Sequence, residues 1–133
     1  MLPLRCSRLV GTALAAIALA ACDLVESREP ICTGVFVWGL RVTVQDSVTG
    51  APAASGAQLI ARDGAYADTS AFPPDRPDLD AQPLVGAGER PGTYTVTVRK
   101  SGFMEWVRTG VVVTADECHV RPVDVTARLQ RTP

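Results

Sequence analysis

The stretch RPGTYTVTV, residues 90 to 98, decides how this chain is read. Arg90-Pro91-Gly92-Thr93 has proline at the second place and glycine at the third, the pattern of a type II turn. Beyond it, Tyr94, Val96 and Val98 fall on one side of an extended chain, and Thr93, Thr95 and Thr97 on the other. Alternation of this kind, in β-branched and aromatic residues, marks a strand with one face on a core and one in water. Working outward, the same period recurs. Leu40, Val42 and Val44 alternate with Arg41, Thr43 and Gln45 and run into the turn-rich DSVTG, Asp46 to Gly50. Ala57, Leu59 and Ala61 alternate with Gln58, Ile60 and Arg62, and Asp63-Gly64 turns the chain into Ala65 to Ser70. Residues 71–92, AFPPDRPDLDAQPLVGAGERPG, are rich in proline, glycine and aspartate and read as a long loop. After the Ser101-Gly102 turn, Phe103 to Thr109 and Val111 to Thr114 read as short strands. The last strand is expected from about Cys118 to Leu129, with Val123, Val125, Ala127 and Leu129 inward. About seven strands, with turns every eight to twelve residues and no helical stripe of three turns, predict an all-β chain. The expected architecture is an antiparallel Greek-key β-sandwich of immunoglobulin-like type.

The chain ahead of these strands has another character. MLPLRCSR carries Arg5 and Arg8 and no acid, and the next 13 residues, LVGTALAAIALAA, carry no charge. A positive segment followed by an apolar one is a secretory signal peptide, here residues 1–21. As a helix, 13 residues reach only about 20 Å against a hydrocarbon core of about 30 Å, too short to span a membrane.

Cys22 follows Leu19-Ala20-Ala21, and this Leu-Ala-Ala-Cys resembles the bacterial lipobox. The resemblance implies a diacylglycerol on the Cys22 thiol, cleavage just before it, and an acyl chain such as palmitate on the new amino group. Small alanines suit a protease slot, and the thiol is the one nucleophile there that can take a thioether lipid. Two rival readings stand beside it: an ordinary A-x-A cleavage site at Ala18-Leu19-Ala20, and a bridge from Cys22 to Cys32. Residues 22–30 read as a polar tether and residues 31–133 as the folded domain. The protein is thus expected in the bacterial cell envelope, held by lipid on the periplasmic or extracellular face. In lipoproteins of enteric bacteria an aspartate in the place of Asp23 accompanies inner-membrane retention, a rule that does not extend to other groups.

Cys6 is lost with the signal peptide, which leaves Cys32 and Cys118 at the two ends of the domain in an oxidising compartment. A disulfide between them is expected. A metal site of Cys32, Cys118 and His119 is the weaker alternative, because no C-x-x-C or H-x-x-H spacing accompanies it. Without residues 1–21 the chain has 11 basic and 14 acidic residues, a net charge of −3. Nucleic-acid binders concentrate lysine and arginine, so a nucleic-acid partner is not expected.

One string of motifs bears on family. Val42-Thr43-Val44-Gln45-Asp46 with Thr49-Gly50 and Pro52, then Gly56-Ala57, then Pro91-Gly92-Thr93-Tyr94-Thr95-Val96 with Ser101-Gly102-Phe103, resembles the carboxypeptidase regulatory-like domain over residues 38–129. The resemblance implies a transthyretin-like sandwich in which Gly92 permits the turn. Tyr94 packs in the core with its hydroxyl capping a backbone group, and Phe103 closes one end. Members of that family are usually accessory modules of peptidases, adhesins or outer-membrane receptors, without catalysis of their own. The long 71–92 segment departs from the family's compact pattern.

The chain offers little to an enzyme. It has one histidine, His119, no G-x-S-x-G elbow, and no H-x-x-E pair. His119 beside Cys118 in an expected strand would point to the opposite face. Asp75, Asp78 and Asp80 lack the D-x-D-x-D-G spacing of a calcium loop and read as a solvated acidic segment. No metal, cofactor or catalytic residue is therefore expected. Trp38, Tyr66, Phe72 and Trp106 are the candidates for a binding surface, and the 71–92 loop is the second. The expected function is a non-enzymatic, lipid-anchored interaction or structural module whose partner is an envelope protein or a glycan. Its alternative is a carbohydrate- or peptidoglycan-binding module.

Overall fold

A computed structural model describes residues 29–133. Cys22 and the proposed signal peptide lie outside the described residues. Seven strands follow one another: β1 (Trp38–Asp46), β2 (Ala57–Asp63), β3 (Tyr66–Ala71), β4 (Leu84–Gly88), β5 (Gly92–Lys100), β6 (Trp106–Val113) and β7 (Val123–Leu129). They form two sheets, one of three strands in the order β4-β1-β7 and one of four in the order β3-β2-β5-β6. The inward faces are those the alternation marks. Leu40, Val42 and Val44 of β1, Ala57, Leu59 and Ala61 of β2, Tyr94, Val96 and Val98 of β5, and Ala127 and Leu129 of β7 have no exposed surface. Full burial of each leucine, valine or tyrosine side chain stabilises by about 1.5–3 kcal/mol, so this shared core is what holds the sheets face to face.

Four expectations need correction. The sandwich is not wholly antiparallel: β1 and β7 pair in parallel, with Leu40 opposite Val123 and Asp46 opposite Leu129. Period-two alternation fixes which face a residue takes, but not the direction of the neighbouring strand. Residues 71–92 are not one loop, because β4 runs through them beside β1 and a short 3-10 turn, Pro77–Leu79, precedes it. The two short strands expected after Gly102 are instead the single β6, and the final strand begins at Val123 rather than near Cys118.

Parallel pairing of the first and last strands sets the polarity of the domain. β1 and β7 both start at the end that residues 29–37 lead into, and the C-terminal residues leave from the other end. Nine residues of β1 at about 3.3 Å each separate these ends by about 30 Å. Outward-facing residues reinforce the pair: Arg41 donates to both carboxylate oxygens of Asp124 at 2.9 and 2.8 Å.

The far end is closed around Asp46, the one buried acid among the described residues, at 3% exposed. Its carboxylate accepts hydrogen bonds from the Val48 and Thr49 amides at 2.8 and 3.2 Å and from Arg131 Nε at 2.8 Å. A buried carboxylate without such donors would destabilise the fold. Gly50 completes the turn at φ +72°, where a residue with a Cβ would be strained, and its amide donates to the Asp46 carbonyl at 2.9 Å. The Val48 amide, then those of Thr49 and the Arg131 guanidinium, outweigh the opposing effect of burial and hold the Asp46 carboxyl below its ordinary range. A carboxyl lowered on folding contributes stability that is complete above its unfolded value, about pH 4, and is lost as pH falls through the folded value. The D46N variant is therefore expected to melt lower than wild type at pH 7, and to lose less of its melting temperature between about pH 5 and pH 3. Parallel acid profiles of the two proteins, with equal losses, would contradict this.

Candidate functional site

The N-terminal end of the sandwich joins a disulfide to a set of side-chain hydrogen bonds. Cys32 and Cys118 form a disulfide with 5.2 Å between their Cα atoms and 86 positions between them in sequence. In the chain-entropy account, a cross-link over such a loop stabilises by about 4–5 kcal/mol. Beside it, His119 Nε2 meets the Thr33 carbonyl at 3.1 Å and the Thr33 hydroxyl at 3.2 Å, while Nδ1 meets Glu89 Oε1 at 2.9 Å. The same carboxylate oxygen accepts the Val37 amide at 2.7 Å. Glu89 and His119 thus tie the segment leading into β1 to the loops after β4 and β6. Burial pushes the Glu89 carboxyl up, but hydrogen bonds from the Val37 amide, His119 and the Val120 amide together hold it below the usual range.

His119 and Cys118 do not lie on a strand, as alternation had indicated. They occupy a turn closed by the Ala115 to Val120 bridge and by Asp116, whose Oδ1 accepts the Cys118 and His119 amides at 2.9 Å each. An aspartate side chain bonding its own backbone two and three residues on competes with a sheet ladder and breaks the strand here. The turn brings His119 onto Glu89, which no spacing rule in the sequence could have matched across 30 positions.

A pair of aromatic rings lies next to these links. Phe36 and Trp38 meet edge to face, with centroids 4.9 Å apart and planes at 79°. Gly88 makes room for them: a Cβ there would collide with the Phe36 ring and approach Trp38 Cε3 to 3.2 Å. Phe36 was not among the candidate residues, although it sits in the uncharged run from Pro30 to Leu40.

Tyr66 lies at this end too, but one face of its ring is covered. The Arg90 guanidinium stacks 4.0 Å above it, donating to Asp63 at 2.8 Å and to the Tyr94 hydroxyl at 2.9 Å. Tyr94 is fully buried, and its hydroxyl donates to the Arg90 carbonyl at 2.9 Å, the backbone cap expected of it. Gly92 has a different reason from the one expected. Its φ is not positive, so the type II turn is not formed; the left-handed residues of this loop are Ala87 and Glu89, at φ 53° and 47°. Glycine is needed at 92 because a Cβ would strike the Asp63 carboxylate.

Phe72 and Trp106 stand toward the far end, half-buried against the core. Trp106 pairs with Val98 in the ladder and borders a depression with Met104, Glu105, Arg128 and Gln130. The four candidate aromatics therefore divide between two ends and do not form a shared face. The acidic residues do not converge either: Asp78 is held by Arg76, at 2.8 and 2.6 Å, and Asp80 accepts the Ser55 amide at 2.8 Å. Among the described residues, no three histidine, cysteine, aspartate or glutamate side chains gather as a metal-binding group.

No family model matches the chain, and no curated protein matches it. The resemblance to the carboxypeptidase regulatory-like domain therefore rests on the motifs alone.

Loss of the disulfide is expected to lower unfolding free energy by about 4–5 kcal/mol, seen as a reduced denaturant midpoint for C32S/C118S with a steeper slope, because the unfolded chain expands without the cross-link. An unaltered midpoint would show that the two cysteines are not linked in the folded protein.

Proposed function

We propose that this chain is a non-enzymatic, lipid-anchored protein of a bacterial cell envelope. Residues 1–21 act as the signal peptide, Cys22 carries the lipid, residues 22–30 are the tether, and residues 31–133 are the module. The observation that carries the reading is the pairing of Cys32 with Cys118. It takes up both cysteines that a bridge from Cys22 could use within the mature chain, Cys32 and Cys118, and it leaves the Cys22 thiol to the lipid that Leu19-Ala20-Ala21-Cys22 resembles a signal for. Anchoring then needs no spanning helix, since two or more acyl chains hold a protein on a bilayer. No helix among the described residues is long and apolar enough to cross one.

The non-enzymatic reading is supported by what surrounds His119. Both ring nitrogens are engaged inside the protein and the neighbouring cysteine is oxidised, so neither a general base facing a substrate nor a thiolate nucleophile is offered. For the module, a transthyretin-like Greek-key arrangement is supported by the three-plus-four sheet order and by Tyr94, which bonds back to a backbone carbonyl four residues upstream as a tyrosine corner does. The partner is an envelope component met by the far-end loops, where Ser55 and the 72–83 segment are joined by hydrogen bonds from Gly56 to Pro73 and from Arg76 to Ser55. Glycan binding keeps one supporting feature, the Trp106 depression with its polar rim. Against it, the Phe36 and Trp38 rings are nearly perpendicular and offer no flat platform for a sugar.

In cells fed an alkyne analogue of palmitate, the wild-type protein is expected to take up label and C22A to take up none. Label retained by C22A would overturn the anchor.

A further inference from the structure

The residues just after the tether are exposed and apolar together. Ile31 is 99% exposed, Val35 62%, Phe36 58% and Trp38 40%. From Pro30 to Leu40 the chain has no charged residue, whereas Arg28, Glu29 and Arg41 flank it. Such a concentration of apolar surface in one exposed segment marks an interaction site rather than ordinary surface. It is also rigid. The Cys32–Cys118 disulfide fixes the segment near its start, Glu89 holds the Val37 amide, and Gly88 seats the two rings.

We infer that this patch beds in the lipid interface of the membrane that carries the anchor, so that the domain stands on the bilayer by its N-terminal end. This rests on the reading of Cys22 as the lipidated residue. From Cys22 to Ile31 the chain advances nine residues, at most about 30 Å when fully extended, so the patch is the part of the domain closest to the lipid in sequence and in reach. Its chemistry suits that occupant. Tryptophan favours the boundary between headgroups and acyl chains, where its flat apolar body is buried and its N–H edge stays wet, and phenylalanine beside it adds apolar area to insert. A chain of net charge −3 after the signal peptide has no electrostatic attraction to anionic headgroups, so apolar insertion has to supply the contact. The far end, with the Asp46 turn, the Ser101-Gly102 turn and the C-terminus, is then held about 30 Å away, facing the aqueous compartment.

The test uses the full protein, purified from membranes and reconstituted in phosphatidylcholine vesicles made with or without brominated acyl chains, which quench tryptophan at short range. W106F retains Trp38 alone, and W38F retains Trp106 alone. Trp38 emission is expected to fall to half or less in brominated vesicles, and Trp106 emission to change by under a tenth. Should W106F not fold, wild type compared with W38F gives the same difference. Flotation and the mass of the Cys22 peptide are measured on the same samples. Protein that floats with an acylated Cys22 but shows unquenched Trp38 overturns the patch and leaves the anchor standing. Protein that floats without acylation and with quenched Trp38 overturns the anchor and leaves the patch. Protein that does not float overturns the patch, as does Trp38 shielded from aqueous quencher but not reached by bromine, which would instead mark contact with a second copy.

Discussion

Strands β1 and β7 run side by side in the same direction, and most of the molecule's layout follows from that parallel ladder. A chain whose first and last strands are parallel must enter and leave at opposite ends. Antiparallel neighbours would have returned the C-terminus to the end where β1 begins. The intervening chain serves as the long crossover that a parallel pair requires, and it builds the four-stranded sheet and β4 on the way. The outcome is a domain with a distinct near end and far end, each closed by its own polar device: Glu89 with His119 at one, Asp46 with Arg131 at the other.

These devices differ in kind. At the far end a single buried carboxylate gathers two amides and a guanidinium, which fixes a turn and ties down the residues after β7. The near end has to hold a segment that makes no sheet pairing of its own before Trp38, and hydrogen bonds from so few residues would not offset the entropy of ordering it. A covalent link at Cys32, with the Thr33, Val37 and Glu89 contacts on either side, does so. The segment is thereby presented as a fixed surface, with Val37 packed against the core and Ile31, Val35 and Phe36 left exposed.

The sequence was most informative where the signal is local. Alternation over Leu40 to Val44, Ala57 to Ala61 and Tyr94 to Val98 gave the inward faces correctly, because side chains in a strand change face at every step whatever lies beside them. Cys32 with Cys118 could be reached by elimination, and the Tyr94 hydroxyl by family resemblance. Strand β4 was hidden since Leu84-Val85-Gly86-Ala87-Gly88 has only two residues that favour a strand. Gly88 answers to a close neighbour, since a Cβ there would meet the Phe36 ring. Strand direction, the Asp116 turn that breaks the final strand early, and the Glu89 to His119 pair depend on contacts distant in sequence, for which no periodicity stands.

Cys22 and Cys32 are ten positions apart, and the account gives them unrelated tasks, one in lipid and one in the fold. Peptide mass mapping of the protein extracted from its native envelope, without reduction, tests that division most directly. The account predicts a mature chain that begins at an acylated Cys22, one linked pair joining the Cys32 and Cys118 peptides, and no free thiol. A Cys22 to Cys32 bridge, or a chain that begins elsewhere with Cys22 unmodified, would contradict it.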